Sequence, residues 1–565
     1  MSLEEKSKEL KDFVSKYRTD WFLGNLSFLT TCIADGKAQD QLGKLSSPLR
    51  QLYFVAGLTV STDPAKGQNI QYTNEEWATI VTLLNEIEFE YDKLFFPKPD
   101  EEIDEQWKKV REVAMPSFLG YFNLGPLNYE EQTINWVRDL FTQLDKVIEG
   151  VTGFKTEDFI QFYESVDVYV QNNFKAFSNK HAALRADWKK YARLEVGVVE
   201  GTPEVIATLM KEREALHIFM ADSGIINRFL PEDIANEKLS VDQVNAILKY
   251  LSCSRAESDF LYYTSTKPGN PLYDKPIVDI GNGMYQVFEV KQVIHAIENF
   301  LEDICLAHAQ DKYVKKKGTL LEKNVLDLFI KFLGKNARHF KGYYVDGHEQ
   351  DLLFLWKDYA FIIEAKGYNV REPSRDPDRA FERINQDFDR SIRYGYTQAQ
   401  RVAKKFEDQV PLRITDKHGK LIEEIDTTKY EENDFTIIVN LNSFGQIQVD
   451  LSALIPECTY PWAVKLDDLE VFFLTMIQKK KPPMFFVNFL LLRENLHGKV
   501  ICADELDICG AYLTGKLTQK KAEEEDTLFF PPVFAAVFDE QNKQGMGFKN
   551  EKYLAEKRSK KYLFW

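Results

Sequence analysis

The chain has 565 residues, 44% of them apolar, and a formal net charge of −16. That length exceeds a single hydrophobic core and predicts roughly three domains. The acidic balance excludes a protein that coats nucleic acid indiscriminately, because phosphate binding rests on Lys/Arg surfaces.

The six cysteines (Cys32, Cys253, Cys305, Cys458, Cys502, Cys509) contain no C-x₂-C pair, so reduced, mostly buried thiols are expected. The most apolar run, Met484 to Leu492, falls far short of the roughly 20 residues that span a bilayer. The start, MSLEEKSKEL, has no signal-peptide pattern. A soluble, cytoplasmic protein without membrane contact is the expectation.

Residues 1–309 read as mainly helical, divisible into two subdomains. Thr73-Asn74-Glu75-Glu76 has the form of a capping box, with Trp77, Ile80, Leu84, Ile87 and Tyr91 following at helical spacing. Thr202-Pro203 and Ser240 mark two further helix starts. The pattern changes after Pro268-Gly269-Asn270-Pro271, where Ile277 to Ile280 and Met284 to Phe288 predict a short hairpin around Gly281-Asn282-Gly283. A helix over about 290–309 follows. From Asp311 to Lys341 nine Lys/Arg stand against three acids, so positive charge is concentrated just before the central region. Gly318 to Gly334 predicts a helix with Leu321, Val325, Leu328 and Phe332 on one side and Glu322 near its start.

A strand over His339 to Val345 leads into GHEQDLLFLWKDYAFIIEAKG, residues 347–367. Two apolar runs rich in aromatic and β-branched residues, Gln350–Trp356 and Tyr359–Ala365, flank Lys357-Asp358 and predict a tight hairpin. With Trp356 facing Tyr359, Asp351 falls opposite Glu364 and Glu349 opposite Lys366. Three carboxylates and an amine then share one face, which outlines a divalent-cation site. A proline-marked loop, a long arginine-rich helix over about 379–406, a charged excursion from Leu412 to Asp434 and a buried strand from Phe435 to Asn440 come next. Beyond Pro461 three helical segments are expected (VKLDDLEVFFLTMI, MFFVNFLLLRENL, DELDICGAYL), separated by a turn at Lys479–Pro483, with a basic helix at the end of the chain. Residues 510–517 approximate a P-loop, but Leu517 stands where Ser/Thr is required and no strand precedes it.

Glu322 on a helix, Asp351 on the second strand and Glu364-x-Lys366 on the third, followed by a helix and a fourth strand, resemble the PD-(D/E)XK nuclease superfamily over residues 310–460. The resemblance implies that Asp351 and Glu364, with the carbonyl near Ala365, bind Mg²⁺ or Mn²⁺. It implies that Lys366 orients the attacking water or offsets transition-state charge, and that Glu322 is a second-shell or second-metal carboxylate. Glu349 matches no fixed position of that family, and His348 adjoins the site where it could contact phosphate. Gln398 and Gln400 lie in the helix where some members place a glutamine, although the Gln-x₃-Tyr pattern of the RecB-like branch is missing. Arg371, Arg375, Arg379, Arg383, Arg390, Arg393 and Arg401 could track a phosphate backbone, partly cancelled by six acids between Glu372 and Asp389.

The reading is therefore a multi-domain, mostly α chain with a central α/β restriction-endonuclease-like core, a mixed sheet flanked by helices. It divides into a helical region 1–309, a nuclease domain 310–460 and a helical region 461–565. The expected function is metal-dependent hydrolysis of nucleic acid, DNA before RNA and endonucleolytic before exonucleolytic, in bacterial restriction or anti-phage defence by family analogy. A homo-oligomer or a regulatory protein partner is compatible with it. The alternatives are a non-catalytic nuclease-like binding protein acting through protein partners, and a nuclease directed at RNA.

Overall fold

The computed structural model describes residues 2–33, 38–99, 101–123, 128–186, 222–264, 267–430, 433–455 and 459–551. It divides into two compact units, Met1–Lys93 with Phe141–Ala309, and Leu94–Leu140 with Gln310–Trp565. Among the described residues no helix is long and apolar enough to cross a membrane. The five described cysteines are reduced thiols, four of them buried.

The first unit is largely helical. Thr73 caps the helix Asn74–Asp92 with the reciprocal Glu76 contact, and Trp77, Ile80, Leu84, Ile87 and Tyr91 form its buried stripe. Ser240 does the same for Val241–Leu251 through Gln243. Strands β1 (Arg228–Phe229), β2 (Ser252–Ser254), β3 (Ile277–Gly281) and β4 (Met284–Val287) form a small sheet in the order β1-β4-β3-β2. Its β3–β4 hairpin is the one anticipated around Gly281-Asn282-Gly283. The helix start at Thr202 and the basic segment from residue 552 onward lie outside the described residues.

The second unit is built on a seven-stranded mixed sheet. Its strands are β5 (Arg338–Val345), β6 (His348–Trp356), β7 (Tyr359–Lys366), β8 (Leu412–Thr415), β9 (Leu421–Ile425), β10 (Asp434–Asn440) and β11 (Trp462–Lys465). They lie in the order β11-β10-β7-β6-β5-β8-β9. β5, β6 and β7 form an antiparallel meander, and β10 runs parallel to both β7 and β11. Strand β7 is apolar at every central position because both faces are covered. Phe361 and Ile363 pack with Leu352, Phe354, Phe329, Phe435 and the C-terminal helices, whereas Ala360 and Ile362 pack with Leu353, Leu355, Val402, Ala403 and Phe406.

Several boundaries differ from the sequence reading. Val290–Leu333 is two helices that meet at a kink at Ala309 (φ −155°, ψ 39°); the one carrying Glu322 begins directly after the kink, ahead of Gly318, so Glu322 lies well inside it and not near its start. The charged excursion over 412–434 contains the hairpin β8–β9. Only Leu412, Ile414 and Ile425 point inward, while Arg413, Glu423 and Glu424 ion-pair on the outside, too thin an apolar signal to be read as strands. Trp462–Lys465 is a strand and not the start of a helix, which begins at Leu466. The helix expected over 379–406 is two helices, Pro377–Phe388 and Tyr394–Glu407, joined by a π-helical turn at Asp389–Arg393. The described part of the C-terminal segment, 461–551, shares one apolar core with the sheet, and 94–140 belongs to this unit rather than to the N-terminal region. Gly510 sits inside the helix Glu505–Leu513, against the Phe534 carbonyl.

Candidate active site

The hairpin register follows the expected pairing. Trp356 faces Tyr359, and the ladder continues to Leu352 opposite Ile363. There the backbone ladder stops and side chains take over. The Asp351 N–H donates to Glu364 Oε1 at 3.3 Å, and the Ala365 N–H donates to Asp351 Oδ2 at 2.8 Å. In a strand a residue's N–H and C=O face the same neighbour, so the Ala365 carbonyl is directed to the β6 side as well. On its other flank β7 remains paired with β10 as far as Lys366 opposite Asn440.

Lys366 Nζ donates to Glu364 Oε2 at 2.7 Å and to Asp351 Oδ2 at 3.1 Å. One ammonium thus serves two carboxylates. Burial drives the Glu364 carboxyl up to about 8, and the nearby Asp351 charge pushes the same way against Lys366. Burial likewise raises Glu322, to about 7, with Asp351 and Glu349 adding and Lys366 opposing. For Lys366 burial alone would lower the value, but Glu364 and Asp351 outweigh it and hold the ammonium charged. Burial first, and the surplus of carboxylates over one lysine second, therefore raise the Glu364 and Glu322 carboxyls.

The structure brings Asp351, Glu364, Ala365 and Lys366 together and sets Glu322 within their electrostatic reach. Glu349 does not meet Lys366. Its carboxylate accepts from the Tyr344 hydroxyl at 3.1 Å on the exposed end of the hairpin, because the β6–β7 ladder has already ended. His348 is exposed at the start of β6 opposite Val345, away from the carboxylates' hydrogen bonds. Gln398 is half-buried one helical turn beyond Tyr394 and Gly395, and its Oε1 lacks a partner; Gln400 is half-buried on the same helix. Among the arginines, Arg371 is tied to Asp387 and Arg393 to Asp389, which removes two from any backbone track.

Three neighbours escaped the sequence reading. Tyr343 is 1% exposed, its hydroxyl has no partner, and the Glu364 and Asp351 charges join burial in raising it. Asn440, also 1% exposed, has both amide atoms unpartnered and lies beside Lys366 in the parallel register. Gly395 lets the helix Tyr394–Glu407 approach closely, since a Cβ there would stand 3.1 Å from Lys366 Cε and 3.2 Å from Ile438 Cγ2. The available signal was a polar residue ending an apolar run, Glu364 after YAFII and Asn440 after FTIIV.

Two carboxylates and a carbonyl are hard oxygen donors, suited to Mg²⁺ or Mn²⁺ and unsuited to a soft metal. The Asp351 and Glu364 oxygens, at 3.1 and 2.7 Å from the same ammonium, are less than about 6 Å apart, near the roughly 4–5 Å across an ion with 2.0–2.6 Å bonds. Among the described residues no three His, Cys, Asp or Glu side chains converge to hold an ion by themselves. Mg²⁺ characteristically takes one or two carboxylates and fills its remaining positions with water and phosphate oxygens. Comparisons of the chain with protein-family models, with curated proteins and with solved structures found no match.

Proposed function

We propose that the second unit is a metal-dependent phosphodiesterase of the restriction-endonuclease-like class, acting on nucleic acid, with Asp351, Glu364 and Lys366 as its reacting set. The observation that carries this reading is the charge imbalance where β6 and β7 part: two carboxylates held against their mutual repulsion, sharing one lysine. Such an arrangement is costly unless a ligand brings positive charge. The order helix, antiparallel meander, helix pair, parallel strand supports the same class.

Asp351, Glu364 and the Ala365 carbonyl would hold Mg²⁺ or Mn²⁺, which when bound supplies Lewis-acid polarisation of the phosphate and a water of lowered pKa. Lys366 has three N–H donors, two of them engaged by the carboxylates. The third is free to donate to a phosphate oxygen as negative charge develops. Glu322, which exchanges its proton near neutral pH, is suited to relay one at the edge of the site. DNA is the preferred substrate of this reading, and restriction or anti-phage defence its setting.

A non-catalytic binding protein is the second reading, favoured by the fact that Lys366 already satisfies both carboxylates. The full chain incubated with plasmid DNA, single-stranded DNA and RNA, in Mn²⁺ or in chelator, separates the two. Metal-dependent cleavage abolished by Asp351→Ala, Glu364→Ala and Lys366→Ala is expected. Cleavage undiminished in Glu364→Ala would remove this residue set, and wild-type protein inert on all three substrates would favour the binding reading.

A further inference from the structure

Lys366 is covered on one side by an aromatic ring that the fold presents with unusual care. Tyr394 is the first residue of the helix Tyr394–Glu407 and directly follows the π-helical turn Asp389–Arg393. A π turn inserts one extra residue and so rotates everything after it relative to an unbroken helix. The next residue, Gly395, has no side chain, which allows the helix to lie so close to Lys366 and Ile438 that a Cβ would stand 3.1 and 3.2 Å from them, tighter than most side-chain contacts. Together these features set the Tyr394 ring centroid 5.6 Å from Lys366 Nζ while leaving the residue 54% exposed. Burial does not explain an aromatic side chain held there.

The same lip carries a second aromatic group. Tyr368, two residues beyond Lys366, accepts a 2.8 Å hydrogen bond from Arg390, whose guanidinium also lies 5.6 Å from the Tyr368 ring centroid. An aromatic ring and an arginine beside a phosphate site form the combination that receives bases one at a time. A phosphate held at Lys366 would put the base of the adjoining nucleotide within reach of Tyr394.

We propose that Tyr394 is a stacking platform for an unpaired base next to the phosphate engaged by Lys366, so that the substrate is a nucleic acid strand that is single or locally unpaired where it is cut. The proposal rests on the phosphodiesterase reading for its chemistry, but its geometry can be tested without cleavage. A base inside a duplex would have to leave its own stack to reach the ring, at a cost of a few kcal/mol, and a single strand has no such penalty.

The test uses the full chain carrying Glu364→Gln, mixed with a short single-stranded DNA containing 2-aminopurine. Quenching of the probe is expected, lost when Tyr394→Leu is added and restored by Tyr394→Phe. Leucine keeps apolar cover over Lys366 but has no ring face, so a merely structural role would survive it. In the cleavage-competent protein, Tyr394→Leu should lower kcat/KM on the single strand about tenfold, mainly through KM, and the unmodified protein should cut the single strand faster than the same strand hybridised. Metal-dependent cleavage with quenching indifferent to Tyr394 overturns the stacking proposal alone. Tyr394-dependent quenching without cleavage of any substrate overturns the phosphodiesterase reading alone, and loss of both signals overturns both.

Discussion

Glu364→Gln tests the charge imbalance directly. Glutamine is nearly isosteric with the protonated acid and carries no charge; Glu364 accepts from the Asp351 N–H on Oε1 and from Lys366 on Oε2, and the single carbonyl oxygen of glutamine keeps one of these two hydrogen bonds. The wild-type carboxyl is pushed up to about 8, first by burial and then by Asp351, against about 4.3 in an unfolded chain. Between those values the folded state keeps a proton that the unfolded state releases. Stability therefore falls as pH rises through the window, by up to about 1.4 kcal/mol per pH unit. Over the whole window the ceiling is about 5 kcal/mol. Residual hydration at Lys366 and Asp351, whose side chains are 12% and 17% exposed, brings the expected figure to on the order of 2–3 kcal/mol. In chelator, Glu364→Gln should match wild type near pH 5 and melt several degrees higher at pH 8.5. With Mn²⁺ that advantage should be largely cancelled, because binding at a hundred times Kd adds about 2.7 kcal/mol to wild type and little to the variant. Thermal unfolding at pH 5, 7 and 8.5, with chelator and with Mn²⁺, reads both effects. A wild-type protein as stable relative to the variant at pH 8.5 as at pH 5, with no response to Mn²⁺, would refute the reasoning and leave Glu364 as an ordinary ion-pair partner.

Three further outcomes follow from contacts in the same unit. Gly395→Ala should push the helix off Lys366 and Ile438, destabilising by about 1–3 kcal/mol and lowering kcat; thermal melts paired with cleavage rates check it. Asn440→Leu should leave stability unchanged or raise it by about 1 kcal/mol, because it removes two buried unpartnered amide atoms, while reducing cleavage. A stability loss with full activity would show the amide to be packing. Arg493→Met should cost about 3–5 kcal/mol, since Arg493 and Glu505 are both buried and meet in two 2.9 Å contacts. Adding Glu505→Leu should recover most of that loss in a denaturant melt.

The hairpin was legible because its two runs are apolar on both faces and its turn is two residues long, Lys357 adopting φ 53°. Those facts fix a single register. Local signals of the same kind gave the Thr73 and Ser240 caps. The parallel pairing that sets Asn440 beside Lys366 leaves no such trace, because parallel partners are brought together by a crossover of many residues rather than by a turn. The π turn before Tyr394 was hidden for a related reason: DRSIRYGY continues the helical pattern, and only the packing of Gly395 on Lys366 reveals the shifted phase. Strand β11 was lost to its neighbour, four residues being too few to interrupt the strong helical period that follows.

The strand pairing explains why the charges stand where they do. On the β10 side β7 is hydrogen-bonded through to Lys366, whereas on the β6 side pairing ends at Ile363. The last three residues of β7 are therefore fixed along one flank and open along the other. Within a continuous ladder Asp351 and Glu364 would have faced each other with no room between them. At a fork the two strands part, and Asp351 turns its carboxylate onto the freed Ala365 N–H. That bond orients Asp351 at the cost of a ladder hydrogen bond, while β10 keeps the Glu364 and Lys366 backbones rigid. A ligand-binding group gains most from being held before the ligand arrives, and a fork with one clamped arm supplies both the opening and the rigidity.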